Sequence, residues 1–209
     1  MLNIAIITLK PVDKVKTLET LHCPVQHKLS FCRTLGYGKA RNTVAKKFGS
    51  SGLMVHFNDD LILSPQIWKQ ILNLKRGEFI LTREGKHLCS RVFAVYLEDF
   101  WKVNGCDENI KYVFEDGDFA YRAQQAGLKL KVLSPEFAKH IPHIHSFYKS
   151  KKIVPISWES CKMYVKYKRN FDSDPLRFFI PFRDYRVVLQ HLLLRVTFTI
   201  VWIVRYAYE

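Results

Sequence analysis

The side chains in this 209-residue chain best suited to chemistry lie in two acidic clusters, Asn58-Asp59-Asp60 and Glu115-Asp116-Gly117-Asp118. The first cluster ends the apolar run Leu53 to Phe57, which follows the loop signal Gly49-Ser50-Ser51-Gly52 and so reads as a buried strand. Adjacent carboxylates repel strongly where water is scarce, unless a cation neutralises them. Hard oxygen ligands of this kind suit Mg²⁺ or Mn²⁺, with a phosphate completing the shell. The same residues also fit a solvated acidic turn ahead of a helix that opens at Ser64-Pro65. The second cluster occupies the first turn of a helix marked by Phe119, Ala120, Ala123 and Ala126 and ended by Gly127. A carboxylate there can serve as a general base if it meets a hydroxyl in a partly dehydrated site. As an ordinary cap it would stabilise the helix by up to about 1 kcal/mol. His140, His143 and His145 form a third group, and neutral imidazole ligates Mn²⁺ well. Of these, His143 and His145 are the candidate ligands.

The elements that must carry these groups follow from periodicity. Asn3 to Leu9 is a β-branched apolar run and reads as a central strand. Asp13 to Leu21 reads as a short helix, and a second strand falls around Lys28 to Phe31. Gly36-Tyr37-Gly38 opens a helix with Ala40, Val44, Ala45 and Phe48 on its apolar face. Glycines at a helix start let backbone approach an anion, which the helix dipole also favours. The spacing leaves Lys39, Arg41, Lys46 and Lys47 available to other faces, and a plain loop-to-helix junction accounts for the glycines equally well. A further helix follows Pro65 through Ile67, Trp68, Ile71 and Leu72. Glu78 to Thr82 and Val92 to Tyr96 read as strands joined by a turn. Strands and helices in alternation imply an α/β domain with a largely parallel sheet, whose ligands sit beyond the carboxyl ends of its strands.

Composition narrows the class. The chain is 48% hydrophobic with a formal charge of +14, enough for a proper core and a sign that its partner is anionic. Residues 149–209 carry 12 Lys or Arg against 5 Asp or Glu, and residues 1–148 carry 21 against 14, so the excess is densest in the tail. The five cysteines form no C-x-x-C pair, which fits a reducing compartment. Met1-Leu2-Asn3 lacks the basic start of a secretory leader, so the expected location is cytoplasmic. A nucleic-acid binder would share the positive charge, but it gives no reason for carboxylates at strand and helix ends.

The conjunction of motifs is more telling than any one of them. It comprises a helix with Ala40-Arg41-Asn42, a strand ending in Asn58-Asp59-Asp60 with Pro65 beyond, Asn104-Gly105-Cys106-Asp107-Glu108, Phe114-Glu115-Asp116-Gly117-Asp118 with Arg122, then Gly127-Leu128-Lys129 and Pro135. From Gly36 to His145 this order resembles the family 2 type of GT-A glycosyltransferases. The resemblance implies a three-layer α/β/α, Rossmann-like domain with a mostly parallel sheet, a nucleotide-sugar donor and a glycan, protein or lipid-linked acceptor. It also implies Mn²⁺ or Mg²⁺, held by Asp60 with help from Asn58, His143 and His145. Arg41 and Lys39 would meet the donor diphosphate, with Asn58 and Asp59 contacting the donor. Asp116 would be the base, with Glu115 as its rival, in a displacement that inverts the anomeric carbon. Asn58 stands where the family usually has an acid, which removes one charge from the metal motif. A nucleotidyltransferase on a similar sheet would share these acids.

The division expected from sequence is a catalytic domain over 1–148 and a basic, aromatic extension over 149–209. In that extension Leu189, Leu192, Leu193, Val196, Ile200 and Ile203 share one helical face. As a membrane span, Val187 to Val204 is near balance, because its 12 Val, Leu, Ile and Phe are offset by Arg195, Gln190 and His191. An amphipathic helix fits better, lying on the inner face of an anionic membrane or packing on the catalytic domain.

Overall fold

The computed structural model of the chain describes residues 1–33, 36–84, 87–110 and 115–141. The helix expected after residue 183, the domain boundary at 148, and His143 and His145 lie outside these residues.

The flat apolar run at the start forms β1 (Leu2–Ile7), all six residues of which are buried. Strands β2 (His27–Cys32) and β3 (Leu53–Asn58) flank it in parallel. Beyond β3 come β6 (His87–Tyr96), β5 (Glu78–Glu84) and β7 (Lys129–Leu133), giving the order β2-β1-β3-β6-β5-β7. Only β6 runs against the others, since it pairs antiparallel with both β3 and β5. The sheet is therefore mostly parallel, as the alternation of elements implies. The short turn between Glu78 to Thr82 and the next strand cannot hold a crossover, so these two strands form a hairpin. Two further short strands, β4 (Leu61–Leu63) and β8 (Ala138–His140), pair antiparallel beside the main sheet.

The alternation of side chains along the strands divides the core between two faces. On one face Ile4, Ile6, Val55 and Phe57 pack with Trp68 and Ile71 of α2 (Ile67–Leu72). On the other, Ala5 and Ile7 meet Ala40 and Val44 of α1 (Tyr37–Phe48). Phe79 and Phe93 meet Phe100 of α3 (Leu97–Lys102) and Phe119 of α4 (Glu115–Gln125) there as well. The architecture is three-layer α/β/α. Phe119 sits 4.9 Å from Phe93 edge-on and 5.6 Å from Phe100 in a stack. Such ring pairs add about 0.5–1.5 kcal/mol each beyond their burial and tie α4, with its acidic first turn, to the sheet.

One element differs from its sequence expectation. The segment expected to be a helix over Asp13 to Leu21 is two 3-10 turns, Val12–Lys14 and Lys16–Thr20. Its threonines spend their hydroxyls on another chain segment rather than on local turns: Thr17 and Thr20 accept the backbone N–H groups of Leu61 and Leu63, each at 2.9 Å. Among the described residues, no helix is long and apolar enough to cross a membrane.

Candidate functional site

The backbone register brings both acidic clusters to one end of the sheet. Asn58 is the last residue of β3, and Phe57 pairs with Val92 of β6. Ser90, two residues before Val92, donates its backbone N–H to Asp116 Oδ2 at 3.0 Å. Asp116 is thus anchored to the strand that borders the end of β3. Tyr37, at the start of α1, is 41% exposed. Its hydroxyl is held above the usual phenol range, first by partial desolvation and then by the negative charge of Glu115, with Asp60 and Asp59 adding to this and Arg41 opposing.

The turn after β3 is built from several directions. Thr17 is fully buried; its hydroxyl donates to the Asn58 carbonyl at 2.6 Å and accepts from Leu61 N–H at 2.9 Å, spanning the Asp59-Asp60 pair. The Asp60 carbonyl accepts the N–H of Ile141 at 2.9 Å, which brings the end of β8 alongside. Asp60 is buried, and its Oδ2 lies 3.2 Å from His140 Nε2. Asp59 faces the other way: Thr8 Oγ donates to its Oδ2 at 2.5 Å and Lys10 Nζ to its Oδ1 at 3.1 Å. Replacing Thr17 by Val leaves the part-buried Asn58 carbonyl and the buried Leu61 N–H without this partner, a cost of about 1–3 kcal/mol for each fully stranded group. Urea unfolding of Thr17→Val should show a loss of at least about 2 kcal/mol, and Thr17→Ser should recover most of it.

The helical cluster is dominated by a buried ion pair. Arg41, only 1% exposed, donates from Nη1 to Glu115 Oε1 at 3.1 Å and from Nη2 to Ser90 Oγ at 2.6 Å. Phe93 and Tyr37 lie 5.5 and 5.6 Å from the guanidinium carbon. Burial pushes the Glu115 carboxyl up to about 7, the adjacent Asp116 charge adds to this, and Arg41 opposes both. Asp116 is partly exposed, and its Oδ1 accepts the Gly117 N–H at 2.8 Å. Asp118 is fully buried and paired with Arg122 at 2.6 Å, so the acids of this turn are not simple solvated caps.

A second turn is fixed beside α1. Asn42 donates to the Cys106 carbonyl at 2.8 Å and to Glu108 at 2.9 Å, and accepts the Cys106 N–H at 2.9 Å. Arg122 donates to the carbonyls of Val103 and Gly105 from the opposite side. Gly105 has φ +63, and a Cβ there would stand 2.6 Å from Asn42 Oδ1, so both backbone and space demand glycine.

The expected site residues divide accordingly. Asp60, Asp59, Asn58, Asp116, Glu115 and Arg41 all come to the same end of the sheet. The expected role of Arg41 as a diphosphate contact differs from its placement: its fork is spent on Glu115 and Ser90, because a buried carboxylate beside it needs the charge. Lys39 is exposed on α1. The histidine that meets Asp60 is His140, whereas the sequence reading favoured His143 and His145. Sequence reasoning also missed Thr17 and Ser90. Two threonines spaced i, i+3 were a faint signal for the first, and the second is one serine just ahead of an apolar strand. As for a cation, Asp60 and His140 offer an oxygen and a nitrogen together. Among the described residues no set of three or more such ligands occurs. Two protein ligands suffice for Mg²⁺ or Mn²⁺ when phosphates and waters fill the other positions, so the residues fit.

No protein-family model and no curated protein matches the sequence. Solved structures do match. The catalytic domain of Drosophila beta1,4galactosyltransferase 7 in complex with xylobiose is 14% identical, with a TM-score of 0.52 over 72% of this chain and 73% of that one. A mutant of that protein in complex with manganese, UDP-Gal and xylobiose gives a TM-score of 0.50 at 14% identity, over 71% and 74% of the two chains. A glycosyltransferase involved in glycosylation of the PBCV-1 major capsid is 16% identical with a TM-score of 0.47, over 64% of this chain and 82% of that one. The first two likenesses establish the fold: this chain has the GT-A fold of nucleotide-sugar transferases.

Proposed function

We propose that the chain is a glycosyltransferase that moves a sugar from a nucleotide-diphosphate donor to an acceptor hydroxyl, with inversion at the anomeric carbon. The observation that carries this reading is the meeting of two differently built acid groups at one sheet end: Asp60 against His140, and Asp116 on the backbone of Ser90. The first is buried beside an imidazole, which suits a cation; the second is partly exposed and held at both oxygens, which suits a base.

Asp60 and His140 would hold Mn²⁺ or Mg²⁺, with Asn58 supplying at most a neutral oxygen. A divalent cation held there would supply positive charge against the departing diphosphate, commonly the largest contribution in such transfers. Asp116 takes the proton of the acceptor hydroxyl as the oxygen bonds to the anomeric carbon and the bond to the diphosphate breaks. Arg41 holds Glu115 in place beside Asp116 and opposes the burial that favours its protonated form. Asp59, held by Thr8 and Lys10, places a carboxylate beside the end of β1, where it would accept hydroxyls of the donor. One of the solved structures of the same fold was obtained with manganese, UDP-Gal and xylobiose, which supports a divalent cation, a nucleotide-sugar donor and a glycan acceptor here.

Calorimetric titration of the full chain with nucleoside diphosphates, with and without Mn²⁺, tests the cation site. Binding should require Mn²⁺, weaken about 10- to 100-fold in His140→Ala, and disappear in Asp60→Ala. Equal affinity with and without the metal would remove Asp60 and His140 from this role.

A further inference from the structure

We propose that Ser90 is a positioning residue for the acid pair of this site, holding Asp116 by its backbone N–H and joining Arg41 to Glu115 by its hydroxyl. This deepens the function proposed above and rests on it. The argument begins with the strand. The pairing of β5 with β6 breaks: Leu81 faces Phe93, but Thr82 faces Cys89, so Ser90, Arg91 and Val92 are passed over on the β6 side. An irregularity of this kind takes residues out of the ladder and re-aims them. Val92 remains paired with β3, and the freed Ser90 N–H turns to Asp116 Oδ2.

The hydroxyl completes a closed arrangement. Ser90 Oγ accepts from Arg41 Nη2 at 2.6 Å, which leaves its own proton to donate toward Glu115 Oε1 at 3.4 Å. The same Glu115 oxygen accepts from Arg41 Nη1. The three groups form a ring, and Ser90, itself buried, is its neutral member. Both bonds of the hydroxyl favour ionised Glu115: it steadies the guanidinium and donates to the carboxylate. Glu115 and Asp116 are consecutive in the first turn of α4, so fixing one fixes the origin of the other. A base misplaced by about 1 Å can lose 10²-fold in rate, which is the scale of effect available to such a residue.

The test uses Ser90→Ala and Ser90→Thr in the full chain. Ser90→Ala should lower kcat about 10- to 100-fold at unchanged donor KM, and lower the melting transition while leaving the chain folded at the assay temperature. Ser90→Thr, which retains the hydroxyl, should restore kcat. Wild-type kcat in Ser90→Ala, or a Thr variant as slow as Ala, would overturn the proposal. If the wild-type chain transfers sugar from no donor, the function proposed above fails, and carbon NMR of labelled Glu115 decides Ser90 separately. An upward shift of that titration in Ser90→Ala, reversed in Ser90→Thr, upholds its hold on the pair; an unmoved titration removes it.

Discussion

Replacing Asp116 by Asn will lower kcat about 10²- to 10⁴-fold while leaving nucleoside-diphosphate affinity unchanged. The carboxylate is partly exposed and held by the N–H groups of Ser90 and Gly117, so it is oriented without being neutralised. Asn keeps the shape and one acceptor but cannot take a proton, and its amide meets one of those N–H groups as a second donor. That mismatch costs about 1 kcal/mol, too little to unfold a domain of this size. The loss therefore appears in turnover and not in binding. Rapid-quench measurement of sugar transfer, beside calorimetric donor binding, separates the two. Full turnover in Asp116→Asn would transfer the role of base to another group.

Arg41→Met will destabilise the domain by about 3–5 kcal/mol at pH 8 and far less at pH 5. Glu115 binds its proton more tightly in the folded chain, near pH 7, than in the unfolded one, where a glutamate titrates at about 4.3. A carboxyl raised in this way contributes stability that is complete below about pH 4.3 and is lost as pH rises through about 7. Below that point Glu115 is neutral, and removing the arginine leaves no orphaned charge. Above it, removal leaves a buried carboxylate alone, and breaking such a pair is expensive although the intact pair adds little. Urea unfolding of both proteins at the two pH values measures the difference. A penalty equal at both would show that Arg41 acts by packing on Phe93 and Tyr37 rather than by charge.

What sequence could reveal followed physical regularities. The buried run of β3 and the acids behind it were plain from period and punctuation, as was the first turn of α4 ahead of Phe119 and Gly127. These are local signals, and the order in which they occur predicted the fold. Partners set by pairing register were not local. Nothing near Arg41 in the chain announces Glu115, 74 residues on, or Ser90, 49 residues on. A helix arginine beside a glycine-rich turn reads as an anion contact until a buried carboxylate is found against it. The contact of His140 with Asp60 was hidden for a related reason: the short pairing of β4 with β8 places it opposite Leu61, next to Asp60. Three residues of strand at a proline-bounded loop carry too little pattern to be seen. The segment over 12–20 misled through its threonines, whose bonds lie across the fold.

The central claim is that a sugar leaves a nucleoside diphosphate at this sheet end, and product analysis tests it most directly. The full chain, incubated with Mn²⁺, a panel of nucleoside-diphosphate sugars and glycan acceptors, should release nucleoside diphosphate and form a glycoside of inverted anomeric configuration. Asp60→Ala should abolish both products, and Asp116→Asn should slow their formation about 10²- to 10⁴-fold. Release of pyrophosphate with a nucleotidyl group on the acceptor, or no product from any donor, would contradict the account.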